Sequence, residues 1–297
     1  DVARTIRIRV VESVVGERTA ERCAKIPRLC GGITGTVQVV WPRAAVVAVL
    51  PVTISSPAHV LLSHTKTVLL KDGVPTFTDT SMPRALDLGE LPGIVQDYRH
   101  AARNAIAAGF DGVEIHAANG YLLDEFLRDG ANQRSGPYGG ALENRARLLL
   151  EVIEATCAVW GGERVGLRIS PLNSFNSMAD SDPVGLVTWL AGRLNDFNLA
   201  YLHVMRADFF QQQHGDVMTP ARAAFRGVLI GNMAYTAAEA DAAIAAGQLD
   251  AVAFGVPFLA NPDLPARFQA GAALNAADPA TFYSPGPAGY TDYPTLD

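Results

Sequence analysis

Three side chains that could act on a bound molecule stand close together in His116-Ala-Ala-Asn119-Gly-Tyr121. The stretch begins at the end of an apolar run typical of a buried strand, which predicts a turn carrying the three polar groups. In such a turn the imidazole and the carboxamide could both donate to one oxygen, and the phenol could give up a proton. The structural alternative is a buried His116 bonded to a backbone carbonyl, with Asn119-Gly120 only making the turn.

Arg168 interrupts a second apolar strand, Val165-Gly-Leu-Arg-Ile169. A guanidinium buried in a strand is costly unless it meets an anion or a set of acceptors. The residue therefore faces either a ligand or a buried carboxylate such as Glu114 on the neighbouring strand. We favour the ligand.

Gly231-Asn232 and Gly255 follow two further strand-like runs. Backbone N–H groups after late strands of a barrel often bind phosphate, and glycine lets the oxygen atoms approach closely. Isolated glycines are also common wherever a loop begins, so this signal is weak by itself.

The chain after residue 83 alternates between strand and helix patterns. Strands are predicted at 111–116, 165–170, 200–204, 227–230 and 250–254, and helices at 91–109, 142–159, 182–197 and 236–246. The alternation is typical of parallel βα units, in an open sheet or a (β/α)8 barrel. The barrel is favoured because no strand is followed by G-x-G-x-x-G and because polar residues cluster just after strand ends.

The N-terminal segment differs from the rest. Residues 1–66 carry nine basic and four acidic side chains, and no carboxylate occurs between Arg22 and Lys71. A complete barrel needs three more strands from the first 82 residues, yet Trp41-Pro-Arg-Ala44 is far too short to be a crossover between parallel strands. We therefore predict a single domain over 1–297, a barrel that is irregular or incomplete at its N-terminus, with 1–70 anomalous and 83–297 in clear βα units.

Composition limits the class of protein. With 297 residues, 49% hydrophobic and 18% charged, the chain can build a sizeable core, so disorder is not expected. The net charge of -6 and the scattered basic residues argue against a nucleic-acid partner. No apolar run is long enough for a membrane span. We expect a cytoplasmic protein without a nucleic-acid or membrane partner.

Several motifs together resemble the Old Yellow Enzyme family of FMN-dependent ene-reductases, in particular its bacterial branch with N-ethylmaleimide reductase and glycerol trinitrate reductase. The resemblance covers about residues 74–297. The motifs are Phe110-Asp-Gly-Val-Glu-Ile-His-Ala-Ala-Asn-Gly-Tyr121, Gly166-Leu-Arg-Ile-Ser-Pro171, Ala253-Phe-Gly255, Phe258-Leu-Ala-Asn-Pro-Asp263, Thr281-Phe-Tyr283 and Gly289-Tyr-Thr-Asp-Tyr-Pro294.

The resemblance implies a (β/α)8 barrel with FMN at its carboxyl-terminal mouth, reduced by NADPH or NADH. It implies that His116 and Asn119 bind the carbonyl oxygen of an α,β-unsaturated substrate and that Tyr121 gives a proton to its α-carbon. Arg168 would lie against the pyrimidine side of the flavin, where its charge favours the anionic reduced form.

The same resemblance assigns binding residues outside the turn. Gly231, Asn232 and Gly255 would hold the FMN phosphate, and Tyr283 would line the substrate pocket. Val256 departs from the family, which commonly carries a basic residue there, so phosphate binding would rely on backbone groups and the helix dipole.

The N-terminal segment lacks the family's first-strand motif, and Val37-Gln-Val-Val-Trp41 matches a later one only with a shift of one residue. On this shifted match Gln38 is proposed as a flavin contact. We hypothesise an N-terminal truncation joined to a stretch read in a shifted frame, with true divergence as the rival explanation.

Two functions remain open at this point. One is an FMN-dependent ene-reductase that could also reduce nitro compounds or nitrate esters. The other is a non-catalytic fragment whose flavin site lacks its N-terminal part. An iron–sulfur enzyme is disfavoured, since such clusters need about four cysteine ligands and the chain has three cysteines.

Overall fold

The computed structural model describes residues 7–11, 36–40, 44–50, 66–71, 74–79, 84–282 and 286–296. Eight strands form one sheet in the order β1-β2-β3-β6-β7-β8-β9-β10, and β4 and β5 form a separate antiparallel pair. The strands are β1 (Arg7–Val11), β2 (Thr36–Val40), β3 (Ala44–Leu50), β4 (Lys66–Lys71), β5 (Val74–Asp79), β6 (Gly112–Ala117), β7 (Val165–Ile169), β8 (Tyr201–Met205), β9 (Leu229–Asn232) and β10 (Ala251–Ala253).

The strand directions divide the large sheet into two parts. From β3 to β10 every neighbouring pair is parallel, whereas β1–β2 and β2–β3 are antiparallel. Strand β1 contacts β10, so the sheet curls round until its two edges meet. The short link between β2 and β3 fits an antiparallel pair, because a parallel pair would need a crossover of a dozen or more residues. The predicted irregularity of the N-terminal part is therefore observed.

Helices connect the parallel strands. They are α1 (Leu91–Ala107), α2 (Leu122–Leu127), α3 (Leu142–Arg145), α4 (Arg147–Trp160), α5 (Pro183–Leu194), α6 (Met218–Ala224), α7 (Ala237–Ala245), α8 (Val256–Ala260) and α9 (Leu264–Ala270). The Asp182 side chain caps α5 by accepting from the Gly185 backbone N–H, and Thr236 and Glu239 form a capping box at α7. Both helix starts agree with the sequence prediction.

The parallel strands alternate between apolar and polar side chains. Val113, Ile115, Leu167 and Ile169 belong to a single buried cluster that also contains the inner faces of the helices. Each such aliphatic side chain contributes roughly 1.5–3 kcal/mol by leaving water. Because alternate residues of a strand point to opposite faces, the residues between them face the inside of the curled sheet. That interior carries the polar groups of the candidate site.

No helix in the described ranges is both long and apolar enough to cross a membrane.

Candidate active site at the carboxyl edge of the sheet

Three polar side chains lie at the same level on three adjacent strands. His116 on β6 is in register with Arg168 on β7, and Arg168 is in register with His203 on β8. Residues in register on parallel neighbours point to the same face, so the two imidazoles flank the guanidinium on the inside of the sheet. Two of these residues were predicted as site residues, whereas His203 was not.

A second polar layer lies two residues deeper. Glu114 is in register with Gly166, and Gly166 with Tyr201. A Cβ atom at Gly166 would come within 2.2 Å of the Tyr201 ring, so the absence of a side chain there gives the phenol its space. His203 Nδ1 lies 3.1 Å from Glu114 Oε2 and donates a hydrogen bond to it.

The buried Glu114–His203 pair is a carboxylate beside a neutral imidazole. Burial lowers the pKa of His203 and outweighs the opposite effect of Glu114. Burial acts to raise the pKa of Glu114, but the hydrogen bond from His203 and the charge of Arg168 outweigh it, so this pKa is also lowered. Glu114 is thus a buried negative charge on the interior face.

The Arg168 guanidinium keeps a hydrogen-bond donor that the described residues do not satisfy. Its Nε atom is buried and bonds to none of the described residues, and the hydrogen-bonded partner of Glu114 is His203. The structural alternative of an Arg168–Glu114 ion pair is therefore not what the described residues form. A buried, unsatisfied donor is costly, which favours a ligand at this position.

His116 is a neutral imidazole held beside a positive charge. It is 9% exposed, and burial, assisted by the charge of Arg168, lowers its pKa to about 3. Its Nδ1 atom is buried and makes no hydrogen bond within the described part of the chain. A neutral imidazole can donate one N–H to a bound oxygen without being a cation at pH 7.

Asn119 occupies a turn that follows β6 directly. Its φ of 59° lies in the left-handed region that asparagine tolerates better than most residues. Its backbone N–H donates to Ser170 Oγ at 2.8 Å, its carbonyl accepts from Asn176 Nδ2 at 2.9 Å, and its side-chain Oδ1 accepts from Asn173 Nδ2 at 2.8 Å. These three hydrogen bonds fix the position of the turn.

Tyr121 lies at the N-cap of α2 with an extended backbone. Its side chain is 40% exposed, and the centre of its ring lies 5.4 Å from that of His116. The structure thus brings His116 and Tyr121 together at one edge of the sheet, with Asn119 in the connecting turn.

Sequence reasoning missed the buried groups that support this turn. Asp124 accepts from the Gly120 N–H at 2.9 Å and lies 3.5 Å from Ser170 Oγ. Arg128 is completely buried and donates to the Ser170 carbonyl at 2.8 Å and to Gln213 Oε1 at 3.3 Å. The polar residues within the otherwise apolar helix α2 could have indicated buried polar groups, but the sequence pattern does not identify their partners.

The predicted phosphate-binding residues lie on the last two strands of the sheet. Asn232 ends β9 in register with Ala253 of β10, and Gly255 follows at the N-cap of α8. Asn232 Oδ1 is buried without a partner among the described residues. A Cβ atom at Gly231 would approach Leu249, so that glycine serves packing on the outer face, while nothing lies near a Cβ atom at Gly255.

Two predicted site residues are not part of this edge of the described structure. Gln38 is in register with Val46 of β3, one residue before the Val47–Gly112 pair. Its backbone is thus level with the amino end of β6, away from His116. Tyr283 lies outside the described residues. Both assignments stay predictions.

Comparison with known proteins adds independent information. Residues 63–275 match the family described as NADH:flavin oxidoreductase / NADH oxidase. The chain is 53% identical over 215 residues to a "Probable flavin mononucleotide-dependent alkene reductase" of Leishmania infantum. The matched region covers 72% of this chain and 59% of that protein. The chain is 44% identical over 222 residues to 12-oxophytodienoate reductase 2 of Arabidopsis thaliana, with the same two coverages. The chain thus spans 59% of the length of these two curated relatives.

Solved structures of similar proteins support the same relationship. The old yellow enzyme from Trypanosoma cruzi superimposes with a TM-score of 0.73 at 44% identity, covering 74% of this chain and 60% of that one. Morphinone reductase superimposes with a TM-score of 0.76 at 44% identity, covering 84% and 67%. These neighbours are TIM barrels, which confirms the predicted fold class.

Fold and sequence together place the chain in the class of flavin oxidoreductase barrels. The chain belongs to the NADH:flavin oxidoreductase / NADH oxidase family, together with the old yellow enzymes, as its motifs predicted. The narrower assignment to the bacterial N-ethylmaleimide reductase branch stays a prediction.

Proposed function

We propose that the protein is an FMN-dependent oxidoreductase that uses NADPH or NADH to reduce the C=C bond of α,β-unsaturated carbonyl compounds. Nitro compounds and nitrate esters are further candidate substrates, and the cytoplasm is the proposed location. Family membership supports the proposal. The observation that carries it in this chain is a neutral imidazole and a partly exposed phenol close to Arg168, whose buried Nε atom has no partner among the described residues.

The residues on the interior face fit FMN. Arg168 Nε and Asn232 Oδ1 are a buried donor and a buried acceptor without partners in the described part of the chain, and a ligand with acceptors and donors would satisfy both. Arg168 would hold the pyrimidine side of the flavin, and Gly231, Asn232 and Gly255 would hold the phosphate. When bound, FMN supplies hydride chemistry, taking hydride from NADPH or NADH and passing it to the β-carbon of the alkene.

His116 and Asn119 would bind the carbonyl oxygen of the substrate. Negative charge develops on that oxygen as the β-carbon gains hydride, so two donors aimed at it stabilise the transition state more than the ground state. His116 is neutral because its pKa is about 3. It therefore acts as a hydrogen-bond donor and not as an acid in this step.

Tyr121 would deliver the proton to the α-carbon. Its hydroxyl belongs to a side chain that is 40% exposed, so the proton can be replaced from water after each turnover. Tyr121 lies at the start of α2 with its ring close to His116, which supports a role beside the groups that would bind the carbonyl. A general acid placed in this way typically accelerates its step by about 10²–10⁴-fold.

The first experiment asks whether the purified protein carries FMN and whether NADPH reduces it. We expect a yellow protein that bleaches when NADPH is added without oxygen and recovers its colour when an enone such as 2-cyclohexenone follows. A colourless protein that fails to bind added FMN would refute the proposal and favour the non-catalytic fragment.

Arg168→Met tests the flavin contact directly. Loss of a charged hydrogen-bond donor should weaken FMN binding by about 10- to 100-fold, measured by quenching of flavin fluorescence on binding. Arg193→Met is the matched control, because Arg193 is exposed and, within the described residues, forms a surface ion pair with Asp196. Equal FMN affinities of the two variants would contradict the assignment of Arg168.

A further inference from the structure

The carboxamide of Asn119 could occupy its place in either of two orientations. Its Oδ1 accepts a hydrogen bond and its Nδ2 donates, and the two ends of an amide are alike in size. Only the NH2 end can stabilise a developing negative charge on a substrate oxygen. A rotation of 180° about the last side-chain bond would present Oδ1 instead, and Oδ1 repels that charge. Something must select the productive orientation.

Asn173 lies immediately next to the amide. Its Nδ2 donates to Asn119 Oδ1 at 2.8 Å. This bond uses the oxygen end of Asn119 and leaves its NH2 end without an acceptor among the residues that the structure describes. The pairing therefore turns the donor end of Asn119 away from Asn173.

The orientation of Asn173 is itself determined by its surroundings. Its side chain is completely buried, and its Oδ1 lies within hydrogen-bond reach of the backbone N–H groups of Phe175 at 3.4 Å and Phe209 at 3.5 Å. Both neighbours are donors, so the oxygen of Asn173 must face them and its NH2 must face Asn119. The backbone N–H groups of Phe175 and Phe209 thus determine which way the Asn173 amide faces.

We propose that Asn173 is a positioning residue that selects the donor-outward orientation of the Asn119 amide, so that the site recognises oxyanions and developing enolates. This inference rests on the proposed function of Asn119. Asn173 itself touches neither substrate nor cofactor in the proposed arrangement, and it acts only through Asn119.

Asn173→Asp is the informative change, because it keeps the size of the side chain and its acceptor oxygen for Phe175 and Phe209. The new carboxylate can only accept, so it would attract the NH2 end of Asn119 and turn Oδ1 toward the substrate. The matched control is Asn176→Asp, since Asn176 donates to the backbone carbonyl of Asn119 and not to its side chain.

The readout is the affinity of the oxidised holoenzyme for 4-hydroxybenzaldehyde as its phenolate, measured by calorimetry at about pH 8. Hydrogen bonds to charged groups contribute enough that Asn173→Asp should weaken binding by about tenfold or more, against a loss of about threefold or less for Asn176→Asp. In an Asn119→Ala background, Asn173→Asp should weaken binding much less than in the parent, because only the direct repulsion between the new carboxylate and the phenolate remains.

The proposal is overturned if Asn173→Asp weakens phenolate binding equally with and without the Asn119 carboxamide, or no more than Asn176→Asp does. If Asn173→Asp does not fold, Asn173→Ala takes its place in the same cycle, with an expected loss of about threefold that again disappears in the Asn119→Ala background. Failure of the proposed function would look different, because the parent protein itself would bind neither FMN nor phenolate.

Discussion

Glu125 should make the protein less stable as the pH rises through neutrality. This residue of α2 is 7% exposed, and its Oε2 atom is buried without a partner among the described residues. Burial, assisted by the charge of Asp124, raises the pKa of Glu125 from 4.5 to about 8. The folded protein therefore keeps a proton on this carboxyl at pH 7 that the unfolded chain has released.

The sign and the size follow from proton linkage. Below about pH 4.5 both states hold the proton, so Glu125 adds no pH dependence there. Between about pH 4.5 and 8 only the folded state holds it, and the free energy of unfolding falls by up to about 1.4 kcal/mol for each pH unit. Over the whole window the loss amounts to about 5 kcal/mol, complete above the folded-state pKa.

Glu125→Gln isolates this effect, because glutamine has a similar size and no ionisable carboxyl. The measurement is denaturant-induced unfolding of parent and variant at a series of pH values from 5 to 8.5. We expect the variant to gain stability relative to the parent as the pH rises, by about 4 kcal/mol across the range. Asp124, whose pKa burial raises to about 6, stays in both proteins and affects both.

The control is Glu154→Gln, since Glu154 is an exposed residue of α4. This variant removes a carboxyl at a position that is not buried, so it should not reproduce the gain expected of Glu125→Gln. Parallel pH profiles for the parent and Glu125→Gln would show that the carboxyl is not held protonated in the folded protein, and the reasoning would be wrong.

Three further predictions concern the site and its foundation. Tyr121→Phe should slow reoxidation of the reduced flavin by an enone by about 10²–10⁴-fold and leave reduction by NADPH nearly unchanged in stopped-flow traces, whereas equal slowing of both steps would contradict proton donation. His116→Ala combined with Asn119→Ala should weaken phenolate binding by at least about tenfold, and unchanged affinity in calorimetry would argue against their role. Gly166→Ala should destabilise the fold by about 1–3 kcal/mol or more, because its Cβ atom would overlap the buried Tyr201 ring; a melting temperature equal to that of the parent would refute this packing.

The apolar pattern predicted most elements after residue 83. The expected strand at 165–170 is observed as Val165–Ile169, and the expected helix at 91–109 as Leu91–Ala107. On that helix Ile94, Tyr98 and Ala105 are buried, as their helical spacing requires. These predictions hold because burial imposes a period of two on strands and 3.6 on helices, and that period is visible in the order of residues.

The pattern failed to predict pairing over long distances. Nothing local to Glu114 indicates that its partner is His203, and nothing local to Asn119 indicates Asn173. The sequence instead suggests Glu114 as a partner for Arg168. Strand register decides between these options, and register is a property of the assembled sheet.

The sequence by itself determined the family, the βα units after residue 83 and the residue types of the site, because local hydrophobic periodicity and ordered motifs are written along the chain. Only the tertiary structure decided that His116, Arg168 and His203 share one level of the interior face, and that Arg168 keeps a donor which the described residues leave unsatisfied. The physical reason is that a buried polar group must find its partner in space, and partners 50 or more residues apart meet only when the sheet closes around them.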